Sequence, residues 1–304
     1  MKAFKSILEF QKHFSDDAVC RAFLEEQRWG DTPCCIECGS VKVTRLKDGK
    51  RFQCNEKGCR KQFSATIGTI YENTKIPLSK WFLAMYILSN HSKGISSLQL
   101  AAWLDVTQKT AWFINHRIRE MLAENEPEIL SGIVEIDETY VGGKVSNKHV
   151  SKRKAQTGFD NKTMVVGAVQ REGKVKTRVI PTATQENVQK VVTDFVEEGS
   201  FMVTDESRVY HKVKDKYSHA TVNHGAKEYV RGIVHTNTIE GFWNILKKQI
   251  IGIHHSVSPK HLSRYCTEVS FRYNNRKLPQ DERFIAVFKQ CSGRLKYNQL
   301  IAKQ

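Results

Sequence analysis

The sequence predicts a mixed α/β domain preceded by a small cysteine-rich module and a helical region. Three observations carry this. Five of the eight cysteines lie between residues 34 and 59. Apolar residues recur at helical spacing from about Leu78 to Leu122. From Ile133 the pattern changes to short β runs, "IVEIDETYV", "TMVVGAVQ" and "VKTRVIPT", followed by a helix-like "ENVQKVVTDFVEEG" and a further β run, "FMVTDES". Three strands, a helix, a strand and then more helices suggest a mixed sheet, in an order that resembles the ribonuclease H-like fold.

At 304 residues the chain is long enough for two or three domains. Residues 1–30 read as a helical lead-in ending at the Gly30-Asp31 turn, and 31–70 as the cysteine module. Residues 71–126 form the helical region, 127–290 the sheet domain and 291–304 a tail. "HGAKEYVRG" reads as a last strand, and two long helices follow, from about Thr236 and about Pro259. No repeat or low-complexity tract interrupts this order.

In the cysteine module, Cys35-x2-Cys38 and Cys54-x4-Cys59 flank a hairpin signal at "KDGK". Two such knuckles supply the four soft ligands of a tetrahedral zinc site. Gly39 suits the positive φ of a knuckle turn. Cys34 adjoins Cys35 as a competing ligand, but the x2 spacing favours Cys35. Cys20, Cys266 and Cys291 stand alone and read as small core hydrophobes.

Within the helical region, "SSLQLAAWLDV" and "TQKTAWFINHRIREML" read as two helices around a tight turn, the second N-capped by Thr107. Ala111, Ile114, Ile118 and Met121 share an inward face. Gln108, Lys109, Asn115 and Arg119 are left outside, as in the recognition helix of a helix-turn-helix. A plain helical hairpin would show the same pattern.

Lysine and arginine number 48 against 32 acids, a formal charge of +16. That excess calls for a polyanionic partner. No apolar run is long enough to span a bilayer and the first residues lack the pattern of a signal peptide, so DNA in the cytoplasm is the expected setting and a membrane is not. Between Gly143 and Ile180, ten basic residues meet two acids. The polar loop there carries Lys152, Arg153 and Lys154 and reads as a basic arm for DNA.

Against this background a few acids stand out. Glu135 and Asp137 share one face of a strand, with Val134 and Ile136 on the other. Asp205 ends another β run. In "HTNTIEGFWNILKK", Ile239, Phe242, Trp243, Leu246 and Ile250 form a burying stripe, whereas Asn237, Glu240, Asn244 and Lys247 form a narrow polar one. Three convergent carboxylates repel one another unless cations neutralise them, and all-oxygen ligands suit Mg²⁺ or Mn²⁺. A pair of such ions activates the attacking oxygen and stabilises the leaving one in phosphodiester displacement.

The motifs "FQKHFSDDAVC", "CRKQFSATIGT", "VEIDETYVGGK", "VTDESRVY", "HTNTIEGFWNILKK" and "RYCTEVSFRYNNR" run over nearly the whole chain. Together they resemble the DDE transposases of bacterial insertion sequences, in the zinc-ribbon group related to the Merlin superfamily. The resemblance implies a ribonuclease H-like catalytic domain with Asp137, Asp205 and Glu240 as its metal-binding acids. It makes Lys247 a DNA contact near the scissile phosphate. Some relatives have Asn in the third position, so Asn237 stands as an alternative or supporting ligand. It further implies a structural Zn²⁺, two Mg²⁺ or Mn²⁺ ions, terminal-repeat and target DNA as partners, and a homodimer or higher oligomer on DNA. Two rivals are a nuclease or resolvase on the same fold, and a DNA-binding regulator with an inactive catalytic domain.

Overall fold

The structure, a computed structural model, describes residues 4, 6–122, 129–143, 149, 162–182, 184–207, 209–210, 216–223, 225, 230–289, 293 and 296–302. The chain forms two compact units, and the second is inserted into the first. Residues up to His91, Ile95–Leu122 and Leu278 onward make one unit, and Ser92–Gly94 with the stretch to Lys277 make the other.

The first unit opens with α1 (Ile7–His13) and α2 (Asp17–Trp29). Ser6 and Asp16 cap them by accepting from the amides of Glu9 and Ala18, and Gly30 at φ 61° ends α2. The ribbon follows as an antiparallel sheet of β1 (Val43–Arg45), β2 (Phe52–Cys54) and β3 (Gln62–Phe63). Phe52 stacks on Phe63 at 5.5 Å, and Trp29 meets both edge-on. Next come α3 (Leu78–Asn90), α4 (Ser97–Leu104) and α5 (Gln108–Met121). Thr107 accepts from Thr110 N–H and caps α5, as its position predicts. Ala111, Ile114, Ile118 and Met121 are buried as expected.

The outer face expected for α5 is only half right. Lys109 is exposed, with its ammonium 5.0 Å from the Tyr297 ring. Asn115 and Arg119 are each 1% exposed, so Arg119 is not a surface phosphate contact. The C-terminal half of α5 is embedded rather than laid out in solvent. Arg117, also buried, donates to the Ile70 carbonyl at 2.5 Å and lies over the Phe113 ring.

The second unit holds a five-stranded sheet in the order β6-β5-β4-β7-β8. Its strands are β4 (Ile133–Val141), β5 (Thr163–Gln170), β6 (Val175–Ile180), β7 (Phe201–Asp205) and β8 (Ser218–Val222). The pairs β4–β5 and β5–β6 are antiparallel, and β4–β7 and β7–β8 parallel. This is the ribonuclease H-like arrangement. The helix α6 (Gln185–Phe195) makes the crossover from β6 to β7 and covers Val134, Ile136 and Met202. On the other face, α7 (Asn237–Gln249) and α8 (Pro259–Asn274) cover Val165, Val169 and Val175. After α7 the helix widens into a π-helical turn over Ile250–His254. Among the described residues the last strand is β8; most of "HGAKEYVRG" lies outside the described residues, and of those that are described Arg231 bridges to Val234. As an edge strand, "SHATV" is held by backbone pairing to β7 and has no apolar run to announce it.

The chain then returns to the first unit with α9 (Gln280–Phe288) and α10 (Tyr297–Ile301). This corrects the expected boundary at 290. Phe284 and Phe288 insert among Phe10, Phe14, Phe23 and Phe82, with Phe284 at 4.9 Å from Phe10 and Phe288 at 4.9 Å from Phe82. Among the described residues no helix is long and apolar enough to cross a membrane.

Candidate active site and metal centre

The ribbon's four thiols, Cys35, Cys38, Cys54 and Cys59, place their sulfurs within 4.8 Å of one another. Cys35 Sγ lies 3.7 Å from Cys59 Sγ, and Cys38 Sγ 3.6 Å from Cys54 Sγ. Gly39 takes φ +71° and donates to Cys35 O at 2.8 Å, closing the first knuckle. Cys34 stays outside this cluster. Burial alone would raise the Cys35 thiol, but the N–H groups of Cys38 and Glu37 and the neighbouring thiols bring it down to about 7. A thiol so poised yields the thiolate that binds metal. Four sulfurs at these separations fit a tetrahedral Zn²⁺.

In the second unit the acids gather at the junction of β4 and β7. The parallel register pairs Val134 with Met202 and Glu135 with Val203. Two residues beyond that register, Asp137 and Asp205 lie close enough for the Asp205 charge to act on Asp137, whose side chain is on the sheet face that α7 covers. Ser207 N–H donates to Asp205 Oδ1 at 3.0 Å and fixes that carboxylate in a turn. Trp243 of α7 donates its indole N–H to Asp137 Oδ2 at 3.0 Å.

Gly167 makes that last contact possible. It pairs with Asp137 across β4–β5. A Cβ at Gly167 would lie 2.5 Å from the Trp243 ring. The missing side chain lets the indole lie on the sheet and reach the carboxylate.

Burial, then the charges of Glu138 and Asp205, push the Asp137 carboxyl up from 3.8 to about 7, against the pull of the Glu138 backbone N–H and the Trp243 indole. Glu138 is likewise raised by burial and by Asp205, although it accepts from the Tyr210 hydroxyl at 2.5 Å. Acids that destabilise one another's charge in this way fit a divalent cation, which would relieve the repulsion.

Glu240 is exposed on the first turn of α7, where its Oε1 accepts from Thr236 Oγ1 at 2.9 Å. It does not join Asp137 and Asp205 in a tight group. Among the described residues the four cysteines are the only set of three or more Cys, His, Asp or Glu with ligand atoms all within 4.8 Å. Asn237, the first residue of α7, is exposed near Glu240. Lys247 lies two turns beyond Glu240 and lines a cavity of about 140 Å³ with Tyr140, Gly143, Ile250, His255 and Val257. Lys152, Arg153 and Lys154 lie outside the described residues.

Sequence reasoning missed Glu138, Gly167, Trp243 and Tyr210 as parts of this site. Trp243 belongs to the burying stripe of α7, and its N–H has no sequence signature. Glu138 adjoins Asp137 but falls on the opposite side of the pleat, where only the structure brings Tyr210 to it.

Fold and site thus define a zinc-ribbon protein with a ribonuclease H-like acidic domain. Residues 129–274 match the ISXO2-like transposase domain, and residues 15–62 the transposase zinc-ribbon domain. The chain is 30% identical over 277 residues to an uncharacterised protein in transposable element ISH50 of Halobacterium salinarum, covering 86% of this chain and 92% of that one. The magnesium-bound catalytic core of HTLV-2 integrase shares 12% identity, covering 54% of this chain and 86% of its own, at a TM-score of 0.24. A pre-cleavage Mos1 transpososome shares 12% over 70% of this chain and 79% of its own, at 0.22. Those two scores are too low to bear on the site. The chain belongs to the ISXO2-like transposases of the IS1595 family and carries their zinc ribbon.

Proposed function

We propose that this transposase binds the terminal inverted repeats of its element and catalyses metal-dependent DNA strand cleavage and strand transfer. The observation that carries the reading is the nearness of Asp137 and Asp205, on neighbouring parallel strands: burial, the Glu138 charge and the Asp205 charge together push Asp137 up to about 7. A catalytic acid cluster needs a cation, and a chain of charge +16 draws phosphate to it.

Asp137 and Asp205 are the ligands that the sheet holds in place. The Trp243 N–H holds one oxygen of Asp137 and fixes its orientation. Glu240 completes the ligand set from α7, with Asn237 beside it as the alternative. Lys247, exposed further along the same helix, binds a DNA phosphate near the reacting one. When bound, Mg²⁺ or Mn²⁺ supplies activation of the attacking oxygen and stabilisation of the leaving one. The net reaction is a water or a 3′-hydroxyl displacing the 3′-oxygen of a phosphodiester. No covalent link to the protein is required. The ribbon, Lys109 and the basic loop serve DNA binding, and the protein acts in the cytoplasm as a homodimer or higher oligomer on DNA.

The test uses labelled terminal-repeat ends and a target plasmid with Mg²⁺. Joined product supports the transposase. Cut ends that never join point to a nuclease or resolvase, and binding without either product points to a regulator.

A further inference from the structure

We infer that Glu135 is a positioning residue: a buried carboxylate of β4 that ties the first turn of α7, which carries Asn237 and Glu240, to the strand that carries Asp137. This rests on the proposed reading of Asp137, Asp205 and Glu240 as the reacting site.

Glu135 is 0% exposed. A carboxylate so buried is costly unless it is paired and hydrogen-bonded. Its Oε2 accepts from the backbone N–H groups of Thr238 at 2.8 Å and Ile239 at 3.0 Å. Its Oε1 accepts from Thr238 Oγ1 at 2.8 Å and Arg171 Nε at 2.7 Å, and His235 Nδ1 lies 3.3 Å away. Arg171 also donates to the His235 carbonyl at 3.0 Å, tying down the segment that leads into the helix.

The helix does not cap itself. Thr236 occupies the N-cap position but makes no side-chain bond to the helix backbone, and its hydroxyl goes to Glu240 instead. An ordinary Ser or Asp at that position would satisfy the first amides locally. A cap supplied from the sheet adds something that a local cap cannot, because it fixes where the helix begins relative to β4.

Two rungs therefore join strand and helix. Glu135 holds Thr238 and Ile239, and two residues along the same strand face Asp137 holds Trp243. Glu240 falls between those rungs in the sequence. Loosening the first rung lets the third ligand drift from the first two while the apolar seat of α7 survives. A cap that served stability alone would lower the melting temperature and leave metal binding untouched.

The test compares full-length wild type with Glu135→Gln, which keeps the shape and one acceptor but removes the charge. Three quantities are read: hydrogen exchange of the Thr238 and Ile239 amides, Mn²⁺ affinity by calorimetry, and the Mg²⁺ concentration for half-maximal DNA cleavage. The amides should exchange faster. Mn²⁺ binding should weaken by about tenfold or more, as when groups that orient metal ligands are lost. The Mg²⁺ requirement should rise with it, and terminal-repeat binding should hold. A folded Glu135→Gln protein with wild-type Mn²⁺ affinity overturns the inference. Should that variant fail to fold, Thr238→Val removes only the hydroxyl donor, and unchanged Mn²⁺ affinity there overturns it equally. A wild type that binds Mn²⁺ yet never cleaves DNA sinks the transposase proposal alone, since the Mn²⁺ comparison still judges Glu135. A wild type that binds no Mn²⁺ overturns both.

Discussion

Asp137 is surrounded by groups that discourage its ionisation, with two N–H groups, the Trp243 indole and the Glu138 backbone, working the other way. Its carboxyl rises from 3.8 to about 7. The folded protein then holds a proton that the unfolded chain has lost, so metal-free stability falls as pH rises from about 4 to about 7. Thermal melts of zinc-loaded protein in buffer without Mg²⁺ or Mn²⁺ should show that decline, and Asp137→Asn should flatten it. Gly167→Ala forces a methyl to within 2.5 Å of the indole. It should cost about 1–3 kcal/mol of stability, as overpacking does, and lower cleavage further by pushing Trp243 off Asp137. Asn237→Ala and Glu240→Ala decide the third ligand, and whichever loses Mg²⁺-dependent cleavage holds the position. The facing of Glu135 and Asp137 was legible from strand alternation. Gly167 and Trp243 were not, because their roles depend on an approach between β5 and α7 that no spacing along one element encodes.

The elements differ in how openly they show themselves. The ribbon was legible because zinc chemistry fixes residue type and spacing together. Purified protein should contain about one zinc per chain, matching a single four-ligand site. Cys54→Ser should lose it and Cys34→Ser should retain it. Chelation should unfold the ribbon, since such sites form with their metal. The fate of α9 was not legible. Its apolar spacing fits any helix, and nothing in the sequence says that Phe284 and Phe288 belong with Phe10, Phe14 and Phe23, more than 250 positions earlier. A fragment of residues 1–126 lacks both rings and should melt well below the full chain. In the intact protein, Phe284→Ala should cost about 3–5 kcal/mol, measured by denaturant unfolding. The burial of Arg119 was hidden for a related reason. Helical periodicity finds one buried face, whereas α5 is embedded on more than one.

For the whole molecule, the formal charge of +16 favours a polyanionic partner before any fold is known. Terminal-repeat affinity should fall steeply as salt rises, through counterion release. Lys247→Ala should reduce that slope by about one phosphate contact while leaving Mn²⁺ affinity intact. The sheet order was legible only in outline, since the edge strand β8 is held by backbone pairing to β7. The central claim is that the paired acids of the sheet carry DNA chemistry. Its most direct test is cleavage of labelled terminal-repeat ends in Mg²⁺ by wild type and by Asp137→Ala, with both proteins first shown to be folded and bound to the DNA. Cleavage by wild type and a loss of several orders of magnitude in the variant is the expected result. Near-normal cleavage by a folded, DNA-bound Asp137→Ala protein would contradict it.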